Sequence, residues 1–347
     1  MATDQTVTYA TRGAAYATLF DARVASNINR SAVLFQLLKK LPCRGKNVTW
    51  DAKTGTAAPT TAPQAEGADV VDFLADDKQP ASLAMAHYHD AFAVTGFMQA
   101  VARNTGNPEE LTDAILSELK DSTDRLGASM GTHVYTGSGA ANQVLGFFDA
   151  TAGGLLNSGT YAGIDRSTYT QFKGINVDAK NQRISTGLVR ELSRGIYTAS
   201  GKNVEFYITT PICFDFLAES LKAQRRFVQD VSLSRGLIKL DGGFTAVDFD
   251  GVPVFRDVRC PAGYFGAFNS EEHLIRYMPQ PTVEDYKRAE VTATPEAQLK
   301  ATGTGAMGKI VELAKSGDKT KIGIFIDWQV QARTPNAGGF ILNCLES

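Results

Sequence analysis

Cysteine is scarce in this chain of 347 residues: Cys43, Cys213, Cys260 and Cys344 stand far apart and form no C-x-x-C pair. That excludes a small disulfide-stapled domain and leaves no local signature of a cysteine zinc site. The four read as reduced, mostly buried thiols of a protein folding in a reducing cytoplasm. A basic surplus is missing too. Lys and Arg number 35 against 37 Asp and Glu, a net charge of −2. A free-standing nucleic-acid reader needs excess cations to neutralise phosphate. No run of about 18 apolar residues occurs, so no membrane-spanning helix is expected. The opening residues, MATDQTVTYATRG, lack the basic patch and apolar core of a secretory signal. Glycine (32) and proline (12) stay well below low-complexity levels.

What is present is ordinary globular composition, 43% hydrophobic and 21% charged, in a length that suits about two domains. The near-neutral charge is segregated. Residues 46–80 carry three Lys against six acids, 107–125 carry two bases against six acids, and 190–239 carry eight bases against five acids. Opposite-sign patches suit contacts between subunits.

Residues 1–30 are polar, Ala/Thr-rich and without period. Val33, Leu34, Leu37, Leu38 and Leu41 then predict a helix closed by Pro42. KNVTWDAK (46–53) alternates, with Val48, Trp50 and Ala52 on one side, and predicts a half-buried strand. Residues 81–95 read as its longer partner. The 27 residues between them are too long and apolar-poor for a compact interior. They predict a hairpin that projects and is ordered by a neighbour. Asn107, Pro108 and Glu110 give a cap, first turn and capping box for a helix over 107–126. Leu111, Ile115, Leu119 and Leu126 line one face of it, and Glu109, Glu110, Asp113, Glu118, Asp121 and Asp124 line the other. Further helices are expected over 186–199, with Leu188, Leu192 and Ile196 aligned, and from Thr210-Pro211 to about Arg225. Val204–Thr209 and HLIRYM read as strands, and Asp250-Gly251 as a hairpin turn. Strands are expected again in 322–333 and 340–345. The class is α+β.

Several motifs suggest an enzyme and fail on context. GTGAMGKI (303–310) matches G-x-G-x-x-G, and with Lys309 it also matches G-x-x-x-x-G-K. No buried strand precedes it, and Ile310 replaces the magnesium-binding hydroxyl. It reads as a Gly-rich loop before a helix. GASMG (127–131) matches a nucleophile elbow at Ser129, but a helix precedes it where a strand is needed. Gly127 or Gly131 is then expected to cap that helix. His87 and His89 share a strand face near Asp90 without a third metal ligand. His133 and His273 complete no triad. KAQRRF (222–227) reads as a solvated, basic helix end.

The order of elements resembles the major capsid proteins of tailed double-stranded DNA phages, with their Hong Kong 97-type fold. The resemblance covers nearly the whole chain. Residues 1–45 are similar to the N-terminal arm and 46–95 to the extended loop hairpin. Residues 96–149 are similar to the first part of the peripheral domain, with Pro108–Met130 as its spine helix. VYTGSGAANQVLGFF (134–148) resembles the passage leaving the spine, and Gly163–Ser167 a Gly-Ile-Asp-Arg-Ser stretch. The axial domain corresponds to 150–275, and within it GGFTAVDFDGVPVFRDVRCPAGYFGAF resembles a "G-x-P-V … D … P-x-G" passage. Residues 276–347 resemble the returning peripheral strands, with 282–320 looking inserted.

The resemblance implies a structural protein that self-assembles into hexamers and pentamers of an icosahedral shell around double-stranded DNA. No catalytic residue, metal or cofactor is implied. Because the arm begins almost at Met1, a separate scaffolding protein is expected, besides a portal and decoration proteins. Location in the virion shell, after synthesis in the host cytoplasm, follows. Candidate assembly contacts are Trp50, Lys53 and Lys78 on the hairpin, Glu109, Glu110 and Asp113 on the acidic helix face, and Arg225 and Arg226. Some relatives cross-link a hairpin Lys to an Asn of a neighbour, and nothing marks Lys46, Lys53, Lys78, Asn336 or Asn343 for that. The alternatives are an encapsulin-like compartment shell and, in another class, a nucleotide-binding enzyme using 303–310.

Overall fold

Short apolar runs settle into two larger sheets and two strand pairs here, and a long helix packs into the core of one of the larger sheets. The computed structural model describes residues 32–54, 78–97, 108–140, 142–221, 227–228, 246–279, 308–316 and 319–346. The arm before residue 32, the far part of the expected hairpin (55–77), Asn107, Arg225, Arg226 and 280–307 lie outside them.

Helix α1 is short, Val33–Leu37, and buries Val33, Leu34, Phe35 and Leu37. The expected continuous helix to Pro42 is corrected: Lys39–Pro42 form strand β1. So short a helix depends on tertiary packing, and the chain beyond it finds a parallel ladder on His273–Tyr277. In β2 (Asn47–Lys53), Val48 and Ala52 are buried and Trp50 half-buried, as the alternation requires. The expected partner over 81–95 proves to be two strands, β3 (Lys78–Ala84) and β4 (Ala86–Thr95). They part at Met85, whose N–H donates to the Lys46 carbonyl at 3.0 Å. β3 pairs with β2, with Lys53 directly opposite Lys78.

Helix α2 runs Pro108–Thr136, 29 residues, or about 43 Å at 1.5 Å per residue. Leu119, Leu126, Met130, Val134 and Tyr135 are buried, while Glu118, Asp121 and Asp124 are exposed. Gly127 and Gly131 lie inside this helix, which corrects the expectation that one of them caps it. A Cβ at Gly131 would stand 2.5 Å from Arg259 Cδ and 2.9 Å from Ala32 Cβ. The residue is therefore a notch where two segments cross the helix.

The small strands β5 (Thr160–Tyr161) and β6 (Ile164–Asp165) pair with each other, and β7 (Ile175–Asp178) follows. Helix α3 (Thr186–Ser200) is capped by Ser185 and closed by Gly201 at φ 68°. Its buried stripe is Val189, Leu192 and Ile196, with Leu188 only half-buried. After β8 (Phe206–Thr209), the expected cap is found. Thr210 Oγ1 accepts from the Cys213 N–H at 3.3 Å, and Pro211 opens helix α4 (Pro211–Ser220). Strand β9 (Phe227–Val228) precedes the hairpin of β10 (Ala246–Phe249) and β11 (Val252–Arg256). Asp250 and Gly251 take φ of 52° and 83°, the left-handed pair that a type I′ turn demands. The chain ends with β12 (Phe265–Phe268), β13 (His273–Tyr277), β14 (Gly308–Ser316), β15 (Lys319–Ala332) and β16 (Gly339–Leu342).

The helix expected after GTGAMGKI is thereby corrected, since Gly308–Ser316 is a strand antiparallel to β15. The long edge of β15 offers a ladder that outweighs the modest helix preference of KIVELAK. One sheet orders β1-β13-β15-β14, with β4 also on β15, and the other orders β7-β16-β12-β8-β11-β10-β9. The first core gathers α1, α2 and the first sheet around Trp328, which meets Phe35 and Tyr88 with ring centroids 5.5 Å away. The second lies between α3, α4 and the seven-stranded sheet.

Two stability predictions follow from this packing. Gly131→Val fills the notch and should cost about 1–3 kcal/mol by overpacking, read as a lower urea midpoint. His273 is fully buried, with ring contacts to Phe147 and Phe268. Burial holds its pKa down to about 4 from 6.5, against the opposing pull of Glu272. The folded state resists protonation, so this contribution is complete above about pH 6.5 and is lost as pH falls toward 4, by up to about 3 kcal/mol. His273→Gln should flatten that part of the stability–pH curve.

Candidate assembly surfaces and the hub between the sheets

The turn after β11 makes contacts with segments far away in the chain. Asp257 is 3% exposed. Its Oδ2 accepts from the Tyr135 hydroxyl at 2.7 Å and faces the Leu34 N–H at 3.5 Å, and its Oδ1 accepts from the Arg259 N–H at 2.9 Å. The Asp257 N–H donates to the Thr209 carbonyl at 2.9 Å. Arg259 donates to the Ala128 carbonyl of α2 at 3.0 Å, beside the Gly131 notch. One turn thus holds α1, α2 and the seven-stranded sheet together. Burial, and then the Asp257 charge, push the Tyr135 hydroxyl well above its ordinary pKa, so it stays a donor.

A second buried ionic group shapes the loop after α2. Arg166 donates to the carbonyls of Leu156 at 2.7 Å, Gly153 at 2.9 Å, Ser158 at 3.2 Å and Gly154 at 3.3 Å. Its guanidinium lies 4.9 Å from the centre of the Tyr161 ring. Burial lowers its pKa to about 10, so it remains a cation. The irregular chain of 153–158 is gathered around this one side chain. Residue patterns flagged neither role. The signals available were the Asp of the "G-x-P-V … D … P-x-G" passage and the Arg of Gly163–Ser167.

The expected assembly contacts fall into three groups. Trp50 is engaged within its own chain: Nε1 donates to the Arg333 carbonyl at 3.3 Å, and the ring tilts against Tyr161 at 6.3 Å. Lys53 and Lys78 are exposed and face each other across the ladder, where like charges repel. Glu109, Glu110 and Asp113 lie on the first turns of α2, with their side chains outside the description, and Arg225 and Arg226 lie outside it altogether. Asn336 and Asn343 have partners inside the chain, the Ala199 carbonyl and the Asp178 carboxylate.

The enzyme-like motifs serve structure. Ser129 sits inside α2, 3.4 Å from His133 Nδ1, and the same nitrogen is 2.7 Å from the Tyr88 hydroxyl. The group fastens α2 to β4. His87 and His89 stack on Phe325 with ring centroids 5.7 and 6.0 Å away, and His87 pairs with Asp327. Asp90 points to the other side, 2.8 Å from Ser122 Oγ and 3.0 Å from Arg125. Among the described residues no group of three His, Cys, Asp or Glu could hold a metal ion. No described helix is long and apolar enough to cross a membrane.

No protein-family model and no curated protein sequence matches the chain. Solved structures do. The capsid asymmetric unit of cyanophage A-1(L) is similar at TM-score 0.69 and 18% identity, over 91% of this chain and 93% of that one. This chain has the Hong Kong 97-type capsid fold. The SrpI encapsulin complex of Synechococcus elongatus is similar at TM-score 0.55 and 12% identity, over 91% and 88% of the two chains. The capsid of a native GTA particle gives 0.54 at 9%, over 91% and 90%. Asp257 joins α2 to the seven-stranded sheet. Asp257→Ala strands a buried hydroxyl and frees the turn. It should cost about 2–4 kcal/mol in urea unfolding, with both sheets losing protection together in hydrogen exchange.

Proposed function

We propose that this chain is a major capsid protein that assembles into hexamers and pentamers of an icosahedral shell enclosing double-stranded DNA. The observation that carries this reading is the end-to-end correspondence with the cyanophage capsid subunit, over 91% of this chain and 93% of the other. Heterologous contacts that close make such rings, and many modest contacts sum to a stable shell. The near-neutral charge of −2 suits a container through which DNA must slide, because it grips phosphate weakly. The working partners are other copies of this chain, a scaffolding protein, a portal, decoration proteins and packaged DNA. Its role is structural rather than enzymatic, and its place is the virion. An encapsulin-like shell is the second reading, and its weaker similarity, 0.55 against 0.69, favours the phage reading.

In this proposal Lys53, Lys78 and the acidic start of α2 are contacts between subunits. Coexpression with a scaffolding protein should give closed shells by electron microscopy. A compact monomer under all such conditions would overturn the proposal, and shells that load a protein cargo but no DNA would favour the encapsulin-like reading. Replacing residues 55–77 with a short Gly-Ser link leaves the β2–β3 ladder in place. That variant should give folded subunits and no shells.

A further inference from the structure

Two of the four thiols share one core where the chain ends. Cys213 and Cys344 are 0% and 6% exposed and belong to the same core, on α4 and just beyond β16. They come together because β16, β12 and β8 are neighbours in one sheet and α4 follows β8 directly. The Cys344 N–H donates to the Gly263 carbonyl at 3.0 Å. The tail then turns over the start of α4. There Glu346 Oε1 accepts from the Gly263 N–H at 2.7 Å and the Thr210 hydroxyl at 2.6 Å, and lies 3.6 Å from Cys213 Sγ. Glu346, two residues beyond Cys344, thus ties the tail to the Cys213 thiol and to the same Gly263 that holds Cys344. Cys260 is also buried but belongs to the other core, and its thiol points to the Tyr264 carbonyl at 3.7 Å.

We propose that Cys213 and Cys344 are a disulfide-forming pair, closed when the folded chain meets a low-molecular-weight disulfide. Cys213 is the attacking group. The neighbouring Cys344 thiol lowers its pKa, while burial and the Glu346 charge act the other way. Its thiolate attacks one sulfur of the oxidant, forming a mixed disulfide and expelling one small thiolate. Cys344 then attacks Cys213 Sγ, a new S–S bond forms, and the second small thiolate leaves. The two protons of the cysteine thiols end on the two small thiols released. The chain is oxidised by two electrons and the small disulfide is reduced by two. Access requires only that the last residues lift from the start of α4.

The bond would fasten the C-terminal tail to the axial domain. A shell made in a reducing cell and then released would lock after assembly. That consequence rests on the capsid reading, whereas the bond itself does not.

The test uses the purified full chain with oxidised glutathione, compared with the same protein under dithiothreitol. Intact mass should fall by two hydrogens, and peptide mapping without reduction should join the Cys213 and Cys344 peptides. Cys260→Ser should leave the product and its rate unchanged, while Cys213→Ser and Cys344→Ser should abolish it. If a serine variant fails to fold, mapping of the wild-type chain still decides. A bond joining another pair, or formed only once urea has unfolded the chain, overturns the proposal.

Discussion

A buried carboxylate with no place in water must be surrounded by donors, and the rest of this architecture depends on how Asp257 meets that constraint. A carboxylate in a core is costly unless its oxygens are satisfied. Here the donors come from separate parts of the chain: the Tyr135 hydroxyl of α2, the Arg259 N–H of the turn itself and the more distant Leu34 N–H of α1. Because each donor belongs to a different element, meeting the need of one side chain fixes the relative placement of all three. The Gly131 notch and the Arg259 bond to the Ala128 carbonyl seat the same turn on the helix.

The remaining polar interior works on similar lines at smaller scale. Arg166 organises the irregular stretch 153–158 by supplying donors to four carbonyls. His133, Tyr88 and Ser129 fasten α2 to β4, and Asp90 does so again through Ser122 and Arg125. Groups that look catalytic in the sequence are thus used to hold elements in register. In the capsid reading this suits a subunit whose task is mechanical. The described body is tied internally.

Local rules carried the reading far where the chain's own chemistry was decisive. The Asp250-Gly251 turn, the Thr210-Pro211 cap, the alternation of β2 and the strand at His273–Tyr277 are all short-range signals, and each is found in the structure. The errors share one cause. The helix expected to Pro42, the single partner over 81–95 and the helix expected after Gly308 each failed because a distant ladder claimed the backbone. Gly131 was read as a stop because nothing local shows that Ala32 and Arg259 cross the helix there.

By itself the sequence determined the class, the turns and caps, the element order that resembles a capsid subunit, and the absence of a basic surplus. These depend on residue type and spacing within a few turns of chain. Tertiary structure alone decided that β16 leaves β15 for the other sheet, that Asp257 and Arg166 are buried hubs, and that Cys213 and Cys344 share one core. Those outcomes depend on which distant segments share one volume, and periodicity carries no information about distance between elements far apart in the chain.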